Sequence, residues 1–169
     1  MLSKLDIDDI IGENIPVISS ADLYKVKSLD ELFQGGNKLL LLYQTNHSPH
    51  SRIGHWTGLL KTSPNDVSFY DSYGTWPDDQ YMTIPFEYRK ETNQTKRYLS
   101  NLLCRSYYKN LHYSPHIHQE YKPGINTCGR HVGMFLKLGL EPELYNEFIS
   151  KLSEISGKTK DEVILDLTN

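Results

Sequence analysis

A cysteine is a nucleophile only as its thiolate, and its pKa falls from about 8.5 when it sits at a helix N-terminus or beside an imidazolium. Cys128 opens the run Cys128-Gly129-Arg130-His131-Val132-Gly133-Met134-Phe135-Leu136-Lys137-Leu138, in which Val132, Phe135 and Leu136 recur at helical intervals before Gly139. The spacing predicts a short buried helix beginning near Cys128. Pro123-Gly124-Ile125-Asn126-Thr127 would form a loop leading into it, and Gly129, without a Cβ, would let a substrate carbonyl come close. His55 and Asp71 are the partners such a thiol needs. His55 starts one expected strand and Asp71 ends the next, and antiparallel neighbours set the first residue of one beside the last of the other. The carboxylate would orient the ring and the ring would activate the thiol. Taken singly, a cysteine like Cys128 is more often a core residue, a histidine like His55 a surface one and an aspartate like Asp71 a turn former.

The elements that must position these groups can be read from the same chain. Ser19-Ser20-Ala21-Asp22 and Ser28-Leu29-Asp30-Glu31 are expected helix starts, the second a capping box that Gly35-Gly36-Asn37 later stops. Lys38–Tyr43 is a short apolar run with the composition of a buried strand, and a polar loop is expected from Gln44 to Ile53. His55–Lys61 and Val67–Asp71, parted by Thr62-Ser63-Pro64-Asn65-Asp66, read as an antiparallel hairpin. A loop is expected over Ser72–Pro85 and a helix over Gln94–Tyr108. Leu111–Ser114 and Ile117–Gln119 are candidate strands, and two amphipathic helices parted by Ser156-Gly157 are expected after Pro142.

Gly54-His55-Trp56, Phe69-Tyr70-Asp71-Ser72-Tyr73-Gly74 and Asn126-Thr127-Cys128-Gly129-Arg130-His131-Val132 together resemble the cysteine proteases that include the adenoviral maturation protease and the ubiquitin-like-protein proteases. In that family the order along the chain is His, Asp, Gln, Cys, the reverse of papain's Cys before His. The resemblance covers roughly residues 20–138 and is nearest in flavour to the compact maturation proteases of virophages and large DNA viruses. It implies an α+β papain-like fold in permuted order, a small, mostly antiparallel sheet flanked by helices. The whole of 1–169 would be a single protease domain, with C-terminal helices over 142–169. Carried over, His55 is the base, Asp71 its orienter and Cys128 the nucleophile. Gln119, nine residues before Cys128 (128 minus 119), would help bind the oxyanion if the Glu120–Thr127 loop bulges. Trp56 and Gly129 would line the substrate groove. The implied substrates are viral capsid precursors, with ubiquitin-like conjugates second.

Other arrangements use the same region. His131 shares a helix face with Cys128 but would leave the pair without an orienter. His112, His116 and His118, with Cys104 or Cys128, could bind zinc, although no Cys-x-x-Cys or His-Glu-x-x-His spacing supports a metal. From Arg89 to Lys109 six cations (Arg89, Lys90, Lys96, Arg97, Arg105, Lys109) face one acid, Glu91, among tyrosines. That stretch fits either a solvated helix face or a grip on DNA centred on Lys96 and Arg97, as in a noncatalytic virion protein. No metal or small-molecule cofactor is expected; relatives in the family use an activating peptide or DNA.

The chain has 169 residues and a net charge of −3, long enough for a full core without disulfides. Its longest purely apolar stretch, Leu39–Tyr43, is far short of the roughly 20 residues of a membrane span, and the N-terminus is acidic where a secretion signal would be basic. Two cysteines, Cys104 and Cys128, fit a reducing compartment: the virion and the host cell interior rather than a secreted setting.

Overall fold

The computed structural model describes residues 1–48 and 51–169, and it builds an α+β protein around one mixed five-stranded sheet. The strands are β1 (Val17–Ser19), β2 (Lys38–Ser48), β3 (Ser51–Ser63), β4 (Asp66–Asp71) and β5 (Asn110–Tyr113), lying side by side in chain order. β2, β3 and β4 form an antiparallel meander, and β1 and β5 join its edges in parallel. Apolar residues run without interruption through Leu39–Tyr43 because the sheet is covered on both faces. Leu39, Leu41, Tyr43, Leu59, Val67 and Phe69 share one core with α2 (Leu29–Phe33) and α4 (Tyr98–Cys104). Leu40, Leu42, Trp56, Leu60 and Tyr70 share the other with α1 (Lys4–Ile11), α5 (Cys128–Leu138), α6 (Pro142–Ser156) and α7 (Lys160–Leu167).

The helix of Cys128 lies across the second face, and its closeness to the sheet depends on Gly58. A Cβ there would stand 2.7 Å from Cγ2 of Val132 and 3.3 Å from Cδ1 of Leu136. Gly58→Val is therefore expected to push α5 off β3 and to destabilise the fold by about 2–4 kcal/mol, read as a lowered denaturant midpoint with an unchanged slope. A midpoint like that of the wild type would show that α5 has slack at this contact.

Several elements differ from what the sequence suggests. Gln44–Ile53 is strand up to Ser48 and again from Ser51, with a bulge between Gln44 and Asn46; residues 49 and 50 lie outside the described residues. The start at Ser19 leads into a 3₁₀ turn (Ser20–Lys25), and Ser28 makes no side-chain cap. The loop after Asp71 holds a second 3₁₀ turn (Asp79–Thr83) and is followed by α3 (Phe86–Glu91). The expected long helix is confined to α4, because Gln94 is drawn into the interior: its amide donates to the Gln44 carbonyl (3.0 Å) and to Thr92 Oγ1 (2.7 Å). Ile117–Gln119 is no strand; the amides of His118 and Gln119 both donate to the Ser72 carbonyl, at 2.8 and 3.0 Å. Outside the expected elements, α1 carries a capping box between Ser3 and Asp6.

Candidate active site

His55 lies on β3 just after the bulge. Gly54 permits that bend: a Cβ on it would fall 2.1 Å from the carbonyl oxygen of Tyr43. Asp71 pairs in register with Thr57, so His55 reaches it diagonally on the same face rather than straight across. The result is still a close contact, with His55 Nε2 2.7 Å from Asp71 Oδ1. The carboxylate is fully engaged. The Tyr73 amide donates to Oδ1 (2.8 Å), while Gln80 Nε2 (3.0 Å) and the Thr75 hydroxyl donate to Oδ2. Burial opposes its charge, but the His55 ring and these donors outweigh burial and hold it below the usual carboxylate range.

The Nε2 edge of His55 being occupied, Nδ1 is left to meet the thiol of Cys128, and the two side chains share a hydrogen bond. Burial disfavours the charged ring; the Asp71 charge and hydrogen bond, with Cys128 behind them, overcome it and push the pKa up to about 10. Burial likewise disfavours the thiolate. The His55 hydrogen bond and charge, joined by the backbone amides of Trp56 and Gly129, carry the Cys128 pKa below its ordinary value. Cys128 begins α5, so the unpaired N–H groups of the first turn favour its anion as well. Such a pairing favours transfer of the thiol proton to the ring, which is how a cysteine is made a reactive nucleophile.

The structure joins His55, Asp71 and Cys128, as the sequence suggested, and adds residues the sequence did not single out. Tyr73 stacks on His55 (4.7 Å between centroids, 17°), and Tyr121 stacks on Tyr73 (3.9 Å, 14°). Tyr121 is 62% exposed, so the stack runs from the imidazole to solvent. Thr75 and Gln80 were hidden in a stretch with no periodicity, and only their fixed distance after Asp71 could have drawn attention to them.

Gln119 is buried, with its carbonyl accepting from the Ser72 hydroxyl (2.9 Å) and its amide donating to the Ile125 carbonyl (3.2 Å). The extra residues before Cys128 are taken up by a turn, in which the Ile125 amide donates to the Lys122 carbonyl (3.1 Å). Trp56 and Gly129, the residues expected to line a narrow substrate groove, both pack against the N-terminal segment. The Trp56 indole donates to the Leu2 carbonyl (3.1 Å), and a Cβ on Gly129 would stand 3.2–3.3 Å from Ile7, Leu2 and Trp56. The bare Cα of Gly129 thus makes room for the N-terminal segment. A cavity of about 420 Å³ beside Trp56 is lined by Met1, Leu2, Lys4, Val17, Ser19 and Leu42 among others.

His112, His116 and His118 do not converge on one ion. His112 pairs with Asp66 (2.7 Å), His116 with Glu143 (3.2 Å), and His131 lies 3.4 Å from Asp161. Cys104 is exposed on α4. Among the described residues, Asp66, His112 and Glu141 alone bring ligand atoms within 4.8 Å of one another, at the end of β4 opposite Asp71. His118 is satisfied as a neutral ring, its Nδ1 2.8 Å from the Tyr70 hydroxyl and its Nε2 3.1 Å from Asn146 Oδ1. Burial drives its pKa down to about 3 against an ordinary 6.5, so the unfolded chain takes a proton that the folded one refuses. Stability should be intact above pH 6.5 and fall as the pH drops toward 3, each pH unit of that window being worth roughly 1.4 kcal/mol. His118→Gln should remove about one proton from the acid slope in pH-dependent melts; an unaltered slope would contradict this assignment.

The basic stretch is partly neutralised. Arg97 donates to Asp79 Oδ1 (2.6 Å) and to the Pro77 carbonyl (3.1 Å), and Lys90 lies 3.8 Å from Glu87. Among the described residues no helix is long and apolar enough to cross a membrane.

Compared with known proteins, the chain is 29% identical over 168 residues to the uncharacterized protein V9 of Sputnik virophage, a likeness spanning 99% of this chain and 93% of that protein. No family model matches the chain.

Proposed function

We propose that this chain is a cysteine endopeptidase with a papain-like fold in permuted order, cutting viral capsid precursors during virion maturation. One observation carries the reading: the His55 ring is held between the Asp71 carboxylate, 2.7 Å away, and the thiol of Cys128 at the start of a helix. The substrate class rests on the sequence resemblance and on the likeness to a virophage protein.

In the reaction, the Cys128 thiolate adds to the scissile carbonyl and forms a C–S bond, placing the negative charge on the carbonyl oxygen. The backbone N–H of Cys128 and the second amide hydrogen of Gln119, the first being held by Ile125, receive that charge. When the tetrahedral species collapses, the C–N bond breaks and His55 delivers its proton to the leaving amine. His55 then takes a proton from water, the resulting hydroxide attacks the thioester, and the departing thiolate recovers the ion pair. Asp71 remains ionised throughout and keeps the ring in place.

The test is direct. Incubated with purified capsid precursor from a virophage, the protein should produce new termini detectable by mass spectrometry, and the Cys128→Ala variant should produce none. Cleavage of a ubiquitin-like conjugate in place of the precursor would move the substrate class to the modifier proteases. Absence of cleavage in both would overturn the reading.

A further inference from the structure

Asp161 is the second residue of α7, far along the chain from the catalytic groups, yet its buried carboxylate touches both ends of the loop that enters the nucleophile. The amide of Glu120, directly after Gln119, donates to Oδ2 at 2.9 Å. The hydroxyl of Thr127, directly before Cys128, donates to Oδ1. His131, one turn further along α5, brings Nε2 to within 3.4 Å of the same oxygen. Burial alone would neutralise such a carboxyl; the His131 and Thr127 hydrogen bonds and the Glu120 amide keep it ionised below the usual carboxylate range.

Two of these contacts fall on a neighbour of a group that would bind the oxyanion. Residue 120 is covalently next to Gln119, and residue 127 is next to Cys128. Between them the chain makes a turn at Lys122–Ile125 and has no regular structure to hold its ends together. The carboxylate therefore closes the loop much as a clasp closes a strap.

We propose that Asp161 is a positioning residue whose carboxylate fixes the amide of Gln119 relative to the backbone N–H of Cys128, preorganising the oxyanion site from the C-terminal helix. The proposal rests on the peptidase reading of the site. It separates two properties that share Cys128. Formation of the thiolate depends on His55 and Asp71, which Asp161 does not touch. Stabilisation of the oxyanion depends on the spacing of two donors, which Asp161 sets.

Two small electrophiles read these properties apart. Iodoacetamide is displaced at carbon by the thiolate, with iodide leaving, and no oxyanion forms. p-Nitrophenyl acetate is attacked at its carbonyl: a C–S bond forms, the oxyanion appears, and nitrophenolate leaves, giving acetylated Cys128. In Asp161→Asn, acetylation of Cys128 should slow by about 10- to 100-fold while its iodoacetamide rate and pH profile stay as in wild type. Thr127→Val, which removes one arm of the clasp, should show the same split to a smaller degree, and Thr127→Ser should restore acetylation.

Equal acetylation in wild type and Asp161→Asn would overturn the proposal. So would a parallel fall in both reactions, whether or not the variant melts early, because that result describes a structural role alone. An ordinary thiol profile for wild-type Cys128 with iodoacetamide would instead defeat the peptidase reading, and the clasp with it.

Discussion

Cys128→Ala is expected to abolish peptide hydrolysis, and His55→Ala to lower it by at least about 10⁴-fold, with the double variant no worse than Cys128→Ala alone. The reason is that in the proposed mechanism the two residues act as one unit: His55 takes the proton whose loss makes the thiolate, and the proton needed by the leaving amine is that same one. Removing either partner leaves a buried group without its counter-charge, so the other retains no catalytic value. Both variants should fold, since Cys128→Ala removes a single sulfur atom and His55 lies outside both apolar clusters. Initial rates on the capsid precursor, with circular dichroism as a control for folding, check this. Additive losses in the double variant would mean that the two residues serve separate steps.

The second large effect belongs to Asp71. Asp71→Asn should reduce the hydrolysis rate by about 10³- to 10⁴-fold, because an amide in that place no longer holds the ring in the orientation and tautomer that leave Nδ1 for the thiol. The carboxylate also receives the Tyr73 amide, the Thr75 hydroxyl and the Gln80 amide, so an asparagine NH₂ would face donors where acceptors are needed. A loss of about 1–3 kcal/mol in stability should accompany the loss of rate. With Asp71 neutral in charge, burial is no longer offset by its carboxylate, so the His55 pKa should fall from about 10 and its ionisation should move to lower pH in the profile. A variant retaining a tenth or more of wild-type activity would show that the ring is held by its Tyr73 stack instead.

Parts of this site can be read in the sequence because they depend on local rules. The helix of Cys128 follows from apolar spacing and a glycine stop, and the hairpin follows from two β-rich runs flanking Thr62-Ser63-Pro64-Asn65-Asp66. The chain order of His55, Asp71 and Cys128 carried the pairing that the structure joins. The register was harder. Because the hairpin turns tightly between Ser63 and Asp66, with a register shift between Lys61 and Ser63, Asp71 faces Thr57, and only the shared face of alternate residues keeps His55 within reach.

Other parts depend on contacts between distant segments and leave no local mark. Gln94 looks like a helix residue until the Gln44 carbonyl and the Ser20 hydroxyl draw it inward. Gly129 suggests access for a substrate, whereas its missing side chain accommodates Leu2 and Ile7 from a segment more than a hundred residues earlier. Asp161 belongs to an exposed-looking acidic stretch, and nothing in its neighbourhood along the chain points to Thr127. The capping box of α1 was legible, since Ser3 and Asp6 precede Ile7 and Ile11, an i, i+4 apolar pair.

The measurement that bears most directly on the account is the rate of Cys128 alkylation by iodoacetamide between about pH 5 and 9, followed by peptide mapping in wild type and His55→Ala, with exposed Cys104 as the internal reference. Cys128 should react faster than Cys104 and almost independently of pH down to pH 6 or below, and His55→Ala should reduce it to the behaviour of a buried, protonated thiol. A wild-type Cys128 that reacts more slowly than Cys104 and gains reactivity only above pH 8 would contradict the account.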